Sequence, residues 1–165
     1  MSSPDLGADG AILFEAMAFV WRESEHLDAR RHDDWLALWA PEGHYVIPID
    51  PKAEDFSDTL NYAYDDAEMR RLRVARLGSR HSMSAVSAAR TVRTVSRFVL
   101  AEADHERFVV RCAQLLVESK NQVERTYAAD LTYTLVRTAE GLRLAQKVVR
   151  LVNSTDALGG VAYLF

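Results

Sequence analysis

The chain has 165 residues, 48% of them hydrophobic and 27% charged, with a formal net charge of −4. That length suits one domain around one core, and the acidic balance argues against a binder of phosphate backbones. No apolar run approaches the ~20 residues of a membrane-spanning helix, the opening MSSPDLGADG lacks the basic start and apolar middle of a secretion signal, and the single cysteine, Cys112, allows no internal disulfide.

A reducing compartment, the cytoplasm, is therefore the expected location. Residues 1–9 are small and polar and read as a flexible lead-in to one domain over 10–165. From Gly10 the spacing of Leu13, Met17, Val20 and Leu27 predicts an amphipathic helix. A second short helix, about 32–39, presents Trp35, Leu38 and Trp39 on one side. The stretch APEGHYVIPIDP predicts a turn and a strand over 44–49 with a proline stop at each side. Residues 52–66 show no period and read as a loop with aromatic anchors. Residues 66–77 read as a helix, with Met69, Leu72, Val74 and Leu77 set among arginines.

After Gly78 the period changes. Segments 91–102, 106–119, 126–138 and 142–153 alternate polar and apolar residues and are rich in β-branched and aromatic side chains. In the third, Tyr127, Ala129, Leu131, Tyr133 and Leu135 share one face and Asp130, Thr132 and Thr134 the other. EADHER and TAEGLR have the polarity and length of hairpin loops. Helices first and strands afterwards predict an α+β fold: a curved antiparallel sheet with the N-terminal helices on one face, forming a cone with a pocket at its open end.

The stretch EHLDARRHDDWLALW concentrates histidine and aspartate, and metal binding is the first reading to weigh. On a helix His26 and His32 point roughly 120° apart. Asp28 and His32 form a better-spaced pair, but two ligands do not make a facial triad, and no metal is expected. An iron–sulphur cluster needs several Cys or Cys/His ligands, and only Cys112 is present; within a strand pattern it reads as a buried, inert thiol. An acid–base reading takes Asp28 and His81 as a proton-abstracting pair with Tyr45 as hydrogen-bond donor. The competing reading ties Asp28 to nearby amides or an arginine. The arginines Arg70, Arg71, Arg73, Arg76, Arg80, Arg90, Arg93 and Arg97 suit internal pairing or a subunit interface better than nucleic acid, given the acidic runs at 65–66 and 102–106.

The segment FVWRESEHLDARRHDDWLALWAPEGHYVIPI, 19–49, resembles the opening of the small (β) subunit of aromatic-ring-hydroxylating dioxygenases, with Glu23, Leu27, Asp28, Trp35, Leu36, Tyr45 and Pro48 at the matching positions. RRLRVARL at 70–77 is similar to that family's arginine-rich helix, SAARTVRTVSRFVL at 87–100 to its next strand, and VVRLVNSTDALGGVAYLF to its last strand and apolar tail. The resemblance implies a cone of the nuclear-transport-factor-2-like (NTF2-like), SnoaL-like kind. It also implies a non-catalytic role, scaffolding a large (α) subunit that carries a Rieske 2Fe-2S cluster and a mononuclear iron in aromatic hydrocarbon catabolism. No cofactor is expected in this chain, and a trimer or dimer of it alone is expected. In this reading Asp28, Trp35, Leu36, Trp39, Tyr45 and Pro48 are structural anchors, and Arg70, Arg73, Arg76, Arg90, Arg93 and Phe165 face the partner.

Two departures stand out: GSRHSMSAVSAA replaces a Trp and a Pro-Ser pair, and Arg97 stands where the family tends to have Asn. They keep open a stand-alone dehydratase- or isomerase-type enzyme of the same superfamily, using Asp28, His81 and Tyr45 on a small hydrophobic substrate.

Overall fold

The computed structural model describes residues 6–83, 89–154 and 164–165, apart from the side chains of residues 6 and 80–83. The elements are α1 (Leu6–Asp28), α2 (His32–Ala37), β1 (Trp39–Pro48), β2 (Asn61–Asp65), α3 (Ala67–Met83), β3 (Arg90–Ala103), β4 (Arg107–Lys120), β5 (Val123–Thr138) and β6 (Gly141–Leu151). One six-stranded sheet runs in the order β2-β1-β6-β5-β4-β3. It curls around the helices, which lie on its concave face.

The long strands alternate burial because every second residue faces the helices. On β4 the inward set is Phe108, Val110, Cys112, Gln114, Leu116 and Glu118, all buried. Register shifts at Ser96/Val99, Leu100/Glu102 and Thr134/Leu135 place bulges that bend the sheet. The tight β4–β5 turn holds Asn121 (φ 52°) and Gln122 (φ 63°) in the left-handed region, the twist a two-residue hairpin requires. Gly43 in β1 has a different constraint: a Cβ there would stand 2.6 Å from the Leu144 carbonyl oxygen and 2.9 Å from the Trp39 ring.

Several expectations change. Helix α1 begins at Leu6, inside the stretch read as a flexible lead-in. The supposed loop 52–66 contains edge strand β2, whose alternation is too short to register as a period. The sheet is mixed rather than antiparallel throughout, because β1 pairs parallel with β6 while every other pairing is antiparallel. Helix α3 passes through Gly78, where no neighbouring atom lies within 4 Å of a notional Cβ.

Helix α1 ends where Arg30 turns left-handed (φ 56°) and the Arg31 N–H reaches back to the His26 carbonyl at 2.8 Å. That break separates Asp28 from His32, so the two are not partners on one helix.

Candidate functional site

On α1 the buried stripe is Ala16, Phe19, Val20, Glu23, Ser24 and Leu27, so a carboxylate lies in a mostly apolar row at helical spacing, beside a serine whose hydroxyl donates to the Val20 carbonyl. Opposite it on the sheet, Tyr133 of β5 pairs in register with Lys147 of β6. Glu23 and Lys147 are both fully buried and 2.9 Å apart. The Glu23 Oε1 also accepts the Trp35 indole N–H at 2.9 Å, and its Oε2 accepts the Tyr133 hydroxyl at 2.7 Å. The Lys147 ammonium donates to both carboxylate oxygens and, at 2.7 Å, to the main-chain oxygen of Phe165. Its three donors therefore each have a partner.

Burial pushes the Lys147 ammonium below its ordinary range, and Glu23 works against that shift. Burial, reinforced by Glu23, raises the Tyr133 hydroxyl far above its usual range. Tyr45 is raised by burial as well, and its hydroxyl accepts the Phe165 N–H at 3.0 Å. Trp35, Trp39 and Tyr45 pack edge-to-face with ring centroids 5.4–6.2 Å apart. The Phe165 ring packs edge-on against Tyr127 at 5.5 Å.

A second polar centre joins α1 to β3. Asp28 accepts the Thr91 hydroxyl at 2.9 Å, the Arg93 N–H at 2.8 Å and the Arg93 guanidinium. That guanidinium also donates to the Leu164 carbonyl. A third centre fixes the start of α3. Arg73 holds the buried Asp65 in a two-pronged ion pair, while Arg70 lies 4.2 Å over the Trp39 ring and donates to the Gly43 carbonyl. Burial lowers Arg70 to about 10.

Asp28 and Tyr45 are each engaged within the fold. The carboxylate is taken by Arg93 and Thr91, and the Tyr45 hydroxyl is engaged with Phe165. His81 falls in the last turns of α3, and its side chain lies outside the described residues.

Of the residues expected to face a partner, Arg76 and Arg90 are exposed. Arg70, Arg93 and Phe165 are buried within this chain, and Arg73 is half-buried on Asp65. They close internal carbonyls and carboxylates that would otherwise lose hydrogen bonds on burial. Trp35, Trp39 and Tyr45 are core residues, Leu36 packs at the core's edge, and Pro48 ends β1. Sequence reading missed the Glu23–Lys147–Tyr133 cluster, whose signal was a charge on each of two apolar faces.

Among the described residues no group of three or more His, Cys, Asp and Glu lies close enough to hold a metal ion. Cys112 is buried with its thiol pushed up to about 12 by that burial, which suits neither a ligand nor a nucleophile. None of the described helices is long and apolar enough to cross a membrane. Along the outer side of α3, Met69, Leu72, Ala75, Arg76 and Ser79 line an open groove of about 380 Å³.

A curved mixed sheet wrapped around helices defines an α+β cone. It aligns over 92% of the chain with an NTF2-like protein of cystatin-like fold from Novosphingobium aromaticivorans, with a TM-score of 0.62 at 13% identity and 91% of that chain covered. The fold also matches the β subunit of the benzoate 1,2-dioxygenase from Burkholderia mallei, with a TM-score of 0.77, 21% identity, and 99% and 100% of the two chains covered.

The family model described as "Ring hydroxylating beta subunit" matches residues 22–156, and the chain belongs to that family. Among curated relatives, the small oxygenase component of the p-cumate 2,3-dioxygenase system of Pseudomonas putida is 30% identical, covering 81% of this chain and 75% of its own. The β subunit of biphenyl 2,3-dioxygenase from Rhodococcus jostii (strain RHA1) is 25% identical over 95% of this chain and 90% of its own.

Proposed function

We propose that this chain is the non-catalytic small subunit of a cytoplasmic aromatic-ring-hydroxylating dioxygenase, acting in the breakdown of aromatic compounds as the scaffold of a catalytic large subunit. The observation that carries this reading is the family match over 22–156. It agrees with the buried Glu23–Lys147–Tyr133 cluster, whose polar groups are engaged with one another, with the Trp35 indole and with the Phe165 main chain. In this reading the Rieske cluster and mononuclear iron reside in the large subunit, and this chain supplies none of their ligands. Trp35, Trp39 and Tyr45 hold the cone, while Arg76, Arg90 and the exposed Met69 and Leu72 of α3 offer the contact surface. Ring assembly in copies of three is the oligomeric state proposed, since cyclic symmetry buries the same patch on every copy.

The test is affinity purification of the tagged chain from its own source, with iron, acid-labile sulphide and subunit stoichiometry measured in the eluate. An equimolar larger chain carrying iron and labile sulphide is the expected result. A homo-oligomer without either, recovered from cells growing on aromatic compounds, would overturn the reading.

A further inference from the structure

The concave face between Lys147 and Tyr127 carries an unused polar group. Four rows of inward-facing residues cross the sheet there in register, the third being Cys112, Leu131 and Val149. One row is Arg93, Leu116 and Tyr127, and the next is Val95, Gln114, Ala129 and Leu151. Beyond Leu131 lies the row of Tyr133 and Lys147. Phe165 spans them, its main chain held by Lys147 and Tyr45 and its ring set against Tyr127. Gln114 in the second row is 2% exposed, and neither its Nε2 nor its Oε1 has a hydrogen-bond partner among the described residues. A buried amide left so is costly, and native chains seldom keep one without a reason.

We propose that this part of the concave face is a binding site for a small phenol, with the ring against Leu116 and Tyr127 and the hydroxyl on the Gln114 amide, and that Phe165 fills it in cis. The phenylalanine ring meets the apolar half of the site and, lacking a polar substituent, leaves the amide unmatched. A hydroxyl is the group that suits Gln114, because it can donate to Oε1 or accept from Nε2 and so serves either orientation of the amide. Because Lys147 and Tyr45 grip the Phe165 main chain rather than its ring, shortening the side chain empties the ring position and keeps the backbone anchored. The site is a binding site with no chemistry assigned to it, and it stands on this geometry independently of the subunit reading.

The experiment uses the full chain with Phe165→Ala, titrated with phenol and with toluene and followed by calorimetry and thermal shift. A plain apolar cavity favours toluene. The proposed site favours phenol by about tenfold, the size of one well-placed hydrogen bond to an otherwise unpaired group, and adding Gln114→Leu removes that preference. Equal or stronger toluene binding, or a phenol preference that survives Gln114→Leu, overturns the proposal. If Phe165→Ala is only partly folded, recovery of its near-ultraviolet circular dichroism by phenol over toluene is the same readout, because a ligand of the folded state shifts folding. Gln114→Leu alone, in the otherwise unaltered chain, should melt at or above the parent temperature. A clear fall would mean that the amide is already satisfied within the chain, which also overturns the proposal.

Discussion

Two ion pairs of similar chemistry occupy opposite settings in this fold. Glu23 and Lys147 are fully buried, and every donor of the ammonium and both oxygens of the carboxylate are engaged. Arg97 and Asp130 pair on the outer face with side chains 63% and 64% exposed. Taking charges out of water costs several kcal/mol per ion, so the buried pair persists only because its geometry is complete. The exposed pair is screened by solvent and salt and contributes about 0–1 kcal/mol. What differs is the consequence of losing one partner.

The sharpest way to break the comparison is Lys147→Met. It strands a buried carboxylate, and the expected loss is about 3–5 kcal/mol by urea denaturation. Adding Glu23→Met should restore part of that loss. Recovery stays incomplete because the Trp35 indole, the Tyr133 hydroxyl and the Phe165 N–H/oxygen frame were built around the pair. A Lys147→Met loss below about 1 kcal/mol would mean that the cluster is hydrated. Trp35→Phe comes next. It keeps much of the ring but removes the indole N–H from Glu23, and about 1–3 kcal/mol should be lost.

The same cluster sets an alkaline limit. An unfolded tyrosine ionises near pH 10.0, while buried Tyr45 and Tyr133 hold their protons to higher pH. Above that point the unfolded chain has released protons that the folded chain retains, so stability falls as pH rises. Cys112 acts in the same sense between its ordinary 9.0 and about 12. Lys147 acts in the opposite sense. Its folded pKa lies below 10.5, so the folded chain sheds that proton first and gains over this window as pH rises. Arg70, which burial lowers to about 10, acts with Lys147; with three groups against two, the urea midpoint should fall from about pH 9 upward. Tyr45→Phe should make the fall shallower, and a midpoint flat through this range would show that these groups ionise equally well in the folded chain.

Much of the architecture is legible in the sequence because it rests on local periods. The stripe of α1, the paired tryptophans and the four long strands β3–β6 each carry several repeats of their own spacing. What is not legible depends on contacts distant in the chain. The parallel β1–β6 pairing brings Tyr45 beside Lys147, about a hundred residues on. Strand β2 is short and takes its definition from β1. Glu23 and Lys147 each look out of place on an apolar face, but nothing local says that they meet. The arginines of 70–97 read as a surface cluster because charge suggests exposure. The fold instead turns Arg70 and Arg93 inward, where carbonyls of β1 and of Leu164 need donors.

The exposed end of the comparison yields the smaller effects. Arg137→Ala cuts the surface pair with Glu15, whose side chains are 40% and 42% exposed, and should cost less than about 1 kcal/mol, diminishing with added salt. Arg97 sharpens the point furthest. It sits at the β3 bulge with φ 56°, in the left-handed region that asparagine enters more readily than other non-glycine residues. Asparagine is also the residue the resemblance leads one to expect there. Arg97→Asn removes a solvent-screened ion pair and relieves a backbone cost of the order of 1 kcal/mol. The net expectation is a change between zero and about 1 kcal/mol in favour of folding, read from the urea midpoint. A loss above about 1 kcal/mol would mean that the Arg97–Asp130 pair holds the bulge in shape, and that exposure alone does not decide what an ion pair contributes in this sheet.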